Sequence, residues 1–318
     1  MIELGPIAAR WTDLLRLVVL PVLVWAAIKD IRIRRVPDQI WLPIAGLGIL
    51  VLLADTVHYW GQGIVWTQFL VGTVVSIGLI IPLAYGFWLI GGFGGADAKG
   101  LMVLAVLFPV FPRYEIGEAV YPIVTTDIGA FGLTILTNAV LIGAVYPVAL
   151  VVQNALNGDF ERRMAIGRQE DWDSLSNSHG QLLESAEGPV RRGLDLDALR
   201  MYLRWRGVSL EDIRNRSEEL RDPETIPDNP NPPTDGAIAD GGDYDDPWGA
   251  EQFLDSIKGN AYGTDPETLR QGLDVIVQKD RIWVSPGMPF FVPIIVGLIV
   301  ALTYGDILYG IAELSGIL

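Results

Sequence analysis

From residue 69 to residue 90 the chain carries no charged side chain. A run of that length matches the roughly 20 apolar residues a helix needs to cross a hydrocarbon core. Only helices and closed barrels satisfy their backbones there. Further apolar runs occupy residues 11–28, 40–54, 101–111, 128–152 and 290–309. The run at 101–111 is limited by Pro109 and Pro112 and reaches spanning length only if its helix starts near Gly95. The sequence therefore predicts an all-α polytopic membrane protein with about six transmembrane helices. The first run follows Glu3 and Asp13 and ends in Lys29-Asp30, which fits a retained span better than a cleaved secretory signal.

Charge is distributed unevenly. Half of the residues are hydrophobic, yet the net charge is −15. Residues 154–287 hold 15 Lys/Arg and 27 Asp/Glu, against 8 and 11 in the rest of the chain. This predicts a membrane domain over 1–153 with spans 1–5, an acidic insert over 154–287, and a final span with the C-terminus over 288–318. The insert reads as partly helical and partly disordered. Asp195–Arg206 has helical spacing and stops at Gly207, Ser209 opens a second short helix, and Asp265-Pro266 opens a third that runs to about Val277. Residues 222–247, rich in Pro, Asp, Asn and Gly, read as a disordered linker.

Basic residues near span ends set the orientation. Lys29, Arg32, Arg34 and Arg35 lie between spans 1 and 2, and Lys99 between spans 3 and 4. Arg162, Arg163 and Arg168 follow span 5, and Lys279 and Arg281 precede span 6. The alternate connections hold only Arg113. With six spans all the clusters share one side, which predicts a multi-pass cell-membrane protein with both termini outside and residues 154–287 in the cytoplasm.

There is no cysteine, and His58 and His179 are the only histidines. Disulfides and cysteine-based zinc sites are excluded, and nucleophilic chemistry that relies on a histidine base has little to draw on. His58 reads as an interfacial residue and His179 as a solvated one. No cofactor, no metal and no nucleic-acid partner is expected, and the lipid bilayer is itself a partner.

An acid at the edge of a bilayer is expensive and by default marks a functional site. Two stand at the expected cytoplasmic edge. Asp30 lies in Lys29-Asp30-Ile31-Arg32-Ile33-Arg34-Arg35-Val36-Pro37-Asp38, and Asp97 in Gly91-Gly92-Phe93-Gly94-Gly95-Ala96-Asp97-Ala98-Lys99-Gly100. Two facing carboxylates share a proton, because like charges a few ångströms apart do not both ionise easily. The ionised one then acts as general base on a water while the protonated one polarises a peptide carbonyl. That is aspartyl protease chemistry. The glycines allow close backbone approach, helix to helix or loop to extended substrate, so Gly94, Gly95, Ala96 and Lys99 read as the substrate approach. Asp38 reads as a cap for span 2, and Asp306 as a structural acid near the opposite edge.

The two motifs resemble those of the archaeal type IV prepilin peptidases, also called preflagellin peptidases, which are GxGD-type intramembrane aspartyl proteases. One family motif is an aspartate after span 1 followed by spaced basic residues and Pro-Asn/Asp, as in Asp30 to Asp38. The other is a glycine-rich acid before span 4 continued by Lys, as in Gly94 to Lys99. Ser285-Pro286-Gly287-Met288-Pro289-Phe290 with Gly305-Asp306 resembles the closing helix, so the likeness touches spans 1–4 and 6 and leaves the insert outside. Ala96 departs from the strict pattern, which has glycine there. The resemblance implies a catalytic pair, Asp30 and Asp97, and prepilin- or preflagellin-like substrates cut at the cytoplasmic face after a short basic leader. With no cysteine-rich segment, cleavage without methylation is expected.

Plainer readings exist for each residue alone. Asp30 fits a headgroup-solvated charge, Asp97 a helix N-cap, and the basic residues fit topology signals facing anionic lipid. A rival function is a small ion- or proton-coupled transporter using the same acids; paired halves and mid-membrane acids would favour it, and no internal repeat is present. A membrane anchor presenting 154–287 to a partner leaves both motifs unexplained. The insert's acidity, with lysine only at 29, 99, 258 and 279, reads as adaptation to a salty cytoplasm. There the screening length is about 3 Å and long-range steering of basic leaders vanishes.

Overall fold

The computed structural model describes residues 2–4, 6–33, 36–90, 93–185, 187–222, 225, 231–232, 253–254, 257, 261–286 and 290–316. Arg34, Arg35, Gly91, Gly92, residues 287–289 and nearly all of the expected linker at 222–247 lie outside the described residues. The chain divides into two units, Met1–Val145 with Pro289–Leu318, and Tyr146–Met288.

In chain order, β1 (Ile2–Leu4) and β2 (Ile7–Ala9) lead into α1 (Trp11–Leu17) and α2 (Val19–Ile33). Next come α3 (Trp41–Tyr59), α4 (Ile64–Leu89), α5 (Gly95–Leu107), β3 (Tyr114–Ile116), β4 (Ala119–Tyr121), α6 (Phe131–Gly143) and α7 (Val145–Asn157). The second unit continues with β5 (Arg168–Asp171), β6 (Gln181–Leu182), β7 (Glu184–Ser185), β8 (Gly188–Pro189) and α8 (Leu196–Arg206). It ends with α9 (Leu210–Asn215), α10 (Ser217–Arg221), α11 (Pro266–Gln278) and β9 (Arg281–Ser285). The chain then returns to the first unit with α12 (Phe291–Thr303) and α13 (Ile307–Leu314).

Among the described residues, three helical stretches are long and apolar enough to cross a membrane: Asp38–Tyr59, Ile64–Leu89 and Phe131–Asn157. They cover the expected spans 2, 3 and 5. The others are shorter or interrupted. The first is broken at Val18, between α1 and α2. α5 starts at Gly95 as expected but ends at Leu107, and α12 ends at Thr303. Each has 13 residues, about 20 Å at 1.5 Å per residue, against a core about 30 Å thick. α12 stops where Gly305 adopts a φ of +107°, and a Cβ there would lie 1.8 Å from the Val124 carbonyl oxygen. Asp306 then caps α13, accepting from the Tyr309 amide at 2.9 Å and the Thr134 hydroxyl at 2.8 Å. Its role there is structural.

The all-α expectation is corrected by three small antiparallel sheets, ordered β1-β2-β3-β4, β5-β9-β6 and β7-β8. In the first, Ile7 pairs with Ile116 and Tyr114 with Tyr121. Gly117, with φ of +61°, turns residues 114–121 into a hairpin, and its amide donates to the Pro6 carbonyl at 3.0 Å. Three-residue strands are too short to compete with apolar runs as a sequence signal, which is why they escape a hydropathy reading.

The first unit is cored by side chains of α2, α5, α6 and α12, among them Leu23, Leu104, Phe131, Ile135, Phe291 and Leu298. The second has its own core, with Leu199, Trp205, Leu269, Ile276, Ile282 and Val284. Its central strand β9 buries Ile282, Trp283 and Val284 in succession. Helix ends there follow the local signals. Asp195 accepts from the Asp197 amide at 2.8 Å, Gly207 ends α8 at φ +72°, Ser209 and Asp212 form a capping box, and Asp265 accepts from the Thr268 amide at 2.7 Å. The buried Asn154 amide donates to the carbonyls of Met164 at 2.8 Å and Gly167 at 2.7 Å. Those bonds tie the end of α7 into the second unit, and the division falls at 145/146 rather than at 153/154.

Candidate functional site

Asp30 stands in the last turn of α2. Val19, Leu23, Ala26 and Ala27 are buried at helical spacing, and Asp30 extends that stripe with only 8% of its surface exposed. Its neighbours Ile28 and Ile31 point outward and are exposed. A carboxylate thus occupies a position that the helix period assigns to an apolar side chain, on the face that packs into the first unit. Such burial is more than the plain reading of Asp30 as a headgroup-solvated charge calls for. Beside it, the Lys29 ammonium lies 5.1 Å from the centre of the Trp25 ring.

Asp97 is the third residue of α5, and its Oδ2 accepts the Gly94 amide at 3.2 Å. This is half of a capping box, since Gly94 has no side chain to return the bond. The bend of the carboxylate back over the chain explains the glycine. A Cβ on Gly94 would lie 2.9 Å from Asp97 Oδ2. Gly94 has φ −64° and ψ 155°, which any residue adopts, so what favours glycine here is the space taken by the Asp97 carboxylate and not backbone conformation. Gly95 has no such constraint, its nearest neighbour being Trp88 Nε1 at 3.8 Å. Ala96 is half-buried against the core. Gly100 serves helix packing, since a Cβ there would meet the Phe291 ring at 2.7 Å and Trp41 at 3.3 Å.

The two motifs meet through their tails. The Lys99 ammonium lies 2.6 Å from Asp38 Oδ1, with the side chains 43% and 73% exposed. Asp38 opens a 3₁₀ turn, Asp38–Ile40, and makes no side-chain cap bond. Its expected role as a cap for span 2 is corrected: the carboxylate turns to Lys99 instead.

At the other end of the same unit lies a charge cluster that hydropathy reading passes over. The Arg16 guanidinium contacts Asp13, reaches Asp55 Oδ2 at 2.5 Å, and donates from Nε to the Leu107 carbonyl at 2.7 Å. Arg10 joins from the edge, at 3.0 Å from Asp13 and 3.4 Å from Asp55. Asp13, Arg16 and Asp55 are no more than 1% exposed. The signal was present in the sequence. Asp13 and Arg16 stand three apart on one helix face, and Asp55 is the one acid in residues 41–59. The rule that singles out Asp97 applies to them equally.

Residues 17–148 match the Type IV leader peptidase family, and residues 255–307 match the Archaeal Peptidase A24 C-terminus Type II. The first match contains Asp30 and Asp97. The chain is thus similar to the Type IV leader peptidase family over the stretch that carries both acid motifs. A preflagellin peptidase of Methanococcus voltae is 31% identical over 142 residues, which is 42% of this chain and 54% of that protein. A preflagellin peptidase of Methanococcus maripaludis is 25% identical over 137 residues, 43% of this chain and 56% of that protein. The chain thus matches these curated relatives over about half of their length. The expectation that the likeness leaves residues 154–287 outside is corrected, because the second match begins within them and includes α11 and β9.

Proposed function

We propose that this chain is a membrane-embedded aspartyl endopeptidase that removes the short basic leader of preflagellin- or pilin-like precursors at the cytoplasmic membrane face. Asp30 and Asp97 are its catalytic pair. The observation that carries this reading is the Asp38–Lys99 ion pair, which joins the segment following Asp30 to the helical turn that holds Asp97. The buried position of Asp30 and the names of the Methanococcus relatives support it.

The ionised carboxylate takes a proton from a water whose oxygen bonds to the carbonyl carbon of the scissile peptide. The protonated carboxyl gives its proton to the carbonyl oxygen. As the tetrahedral species collapses, the first carboxyl passes its proton to the leaving amine and the second recovers its own. No metal or cofactor enters these steps. Gly94 leaves room for the Asp97 carboxylate, Gly95 and Ala96 stand at the approach of an extended substrate backbone, and Lys99 acts through Asp38.

In this reading α1 with α2, α5, and α12 supply three further passes beside the three long helices. Both termini lie outside and the second unit faces a salty cytoplasm. Arg10 and Arg16 do not oppose that orientation, since Asp13 and Asp55 offset their charge. The test is cleavage of a preflagellin by the purified full chain in detergent. Asp30→Asn and Asp97→Asn should abolish it, and Asp38→Asn should retain it. Full cleavage by the Asp97→Asn protein would overturn the mechanism.

A further inference from the structure

The buried cluster at the far end of the first unit takes no part in those steps, yet it joins α5, which carries Asp97, to α1, which leads into the helix of Asp30. Arg16 stands on α1, which leads through Val18 into α2 and Asp30. Its Nε donates to the carbonyl of Leu107, the last residue of α5, while Asp97 occupies the first turn of the same helix. Asp55 brings α3 to the same guanidinium. At the opposite end, Asp38 beyond α2 meets Lys99 at the start of α5. The α1–α2 stretch and α5 therefore run antiparallel, each with its acid at the end away from Arg16.

We infer that Arg16 is a positioning residue. By clamping the C-terminal carbonyl of α5 against α1 and α3, it sets how far α5 sits along α2, and so the height of Asp97 relative to Asp30. The inference rests on the reading of those acids as the catalytic pair. The last carbonyls of a helix have no partner within it, and in an apolar interior no water replaces the missing bond. A guanidinium suits the task because its planar fork presents five donors, enough for two carboxylates and a carbonyl at once. A helix transmits an axial shift along its length, so displacement at Leu107 arrives at Asp97. At the acid end the fixing is weaker, since an exposed pair such as Asp38–Lys99 holds little.

Removing Arg16 alone strands two buried acids, so the decisive variant is Asp13→Asn/Arg16→Met/Asp55→Asn, which removes the buried charges together with the bond to Leu107. Arg16→Lys, which keeps the charge but loses the fork, accompanies it. The chain has no cysteine, so spin labels on an Asp38→Cys/Lys99→Cys pair report the acid end without background. In full-length protein of native-like melting, the triple variant should lower kcat for preflagellin at least about tenfold with KM within about twofold, the signature of misplaced reacting groups. The label-to-label distance should shift or broaden, and Arg16→Lys should fall between. A folded triple variant with unchanged kcat and an unchanged distance would overturn the inference. If the triple variant does not fold, a folded Arg16→Lys protein unchanged in both readouts does the same. If the unsubstituted chain does not cleave preflagellin, the catalytic reading fails, and the distance measurement still decides whether Arg16 sets the position of α5.

Discussion

The two ends of the first unit treat acids in opposite ways. At one end Asp13 and Asp55 are fully buried, and two arginines meet both of them. At the other, Asp30 is buried on an otherwise apolar stripe, and Asp97 is half-exposed in the first turn of a helix, folded over a glycine. The basic residue two positions past Asp97 is turned to Asp38 across an exposed contact. The residue types are alike; what differs is the structural setting of each, a buried ion-pair cluster at one end and helix-end positions at the other. Acids locked between arginines are buried in ion pairs that hold helices together. The same costly group thus sits in two different surroundings within one unit.

The sharpest way to break this contrast is to neutralise one acid at each end. Asp30→Asn or Asp97→Asn should lower kcat at least about 100-fold, the scale of lost general acid–base catalysis, with no drop in melting temperature. Asp55→Leu should do the reverse. It leaves buried arginine charge unanswered and should cost about 3–5 kcal/mol of stability, read from thermal unfolding in detergent. A loss of about 100-fold in kcat without unfolding in Asp55→Leu, beyond the roughly tenfold that a displaced α5 accounts for, would erase the distinction between the ends.

A third acid, outside both ends, grades the comparison. Asp195 caps α8, and burial, followed by the neighbouring Asp197, raises its carboxyl to about 6. Its value in the unfolded chain is near 4. The folded state therefore binds the proton more tightly, so stability is greatest below about pH 4, falls as the pH rises to about 6, and is flat above. Asp195→Asn keeps a good cap and removes that slope. At pH 8 it should stabilise the fold by about 2–3 kcal/mol, and at pH 4 by nearly nothing. Equal effects at both pH values would show that burial of Asp195 carries no penalty.

Smaller substitutions sharpen the acid end. Gly94→Ala is conformationally neutral, so its whole effect is the methyl 2.9 Å from Asp97 Oδ2. It should lower kcat about tenfold, on the scale of a slight misplacement of a reacting group, while Gly95→Ala should change it far less. Equal losses would mean that the glycines serve the substrate rather than the carboxylate. The least effect should come from Asp38→Asn, since an exposed ion pair contributes no more than about 1 kcal/mol, checked by melting in low and high salt.

Much of this molecule is legible in local sequence because the forces involved act over a few residues. Apolar runs mark α3, α4, α6 and α7, and Asp195, Ser209 and Asp265 mark helix starts because their own side chains make the cap bonds. The start of α5 at Gly95 and the two acid motifs are likewise written in contiguous residues. Tertiary structure decided the rest. It turned Asp38 to Lys99, 61 residues along the chain, and brought Asp55 to Arg16, 39 residues away. It paired the N-terminal strands with residues 114–121 and ended α12 at a glycine pressed against Val124. The sequence states which residues are charged, and hydropathy states that they are out of place. Whether a distant arginine reaches a given acid depends on which helices pack together, and that is set by the whole core rather than by the residues around the acid.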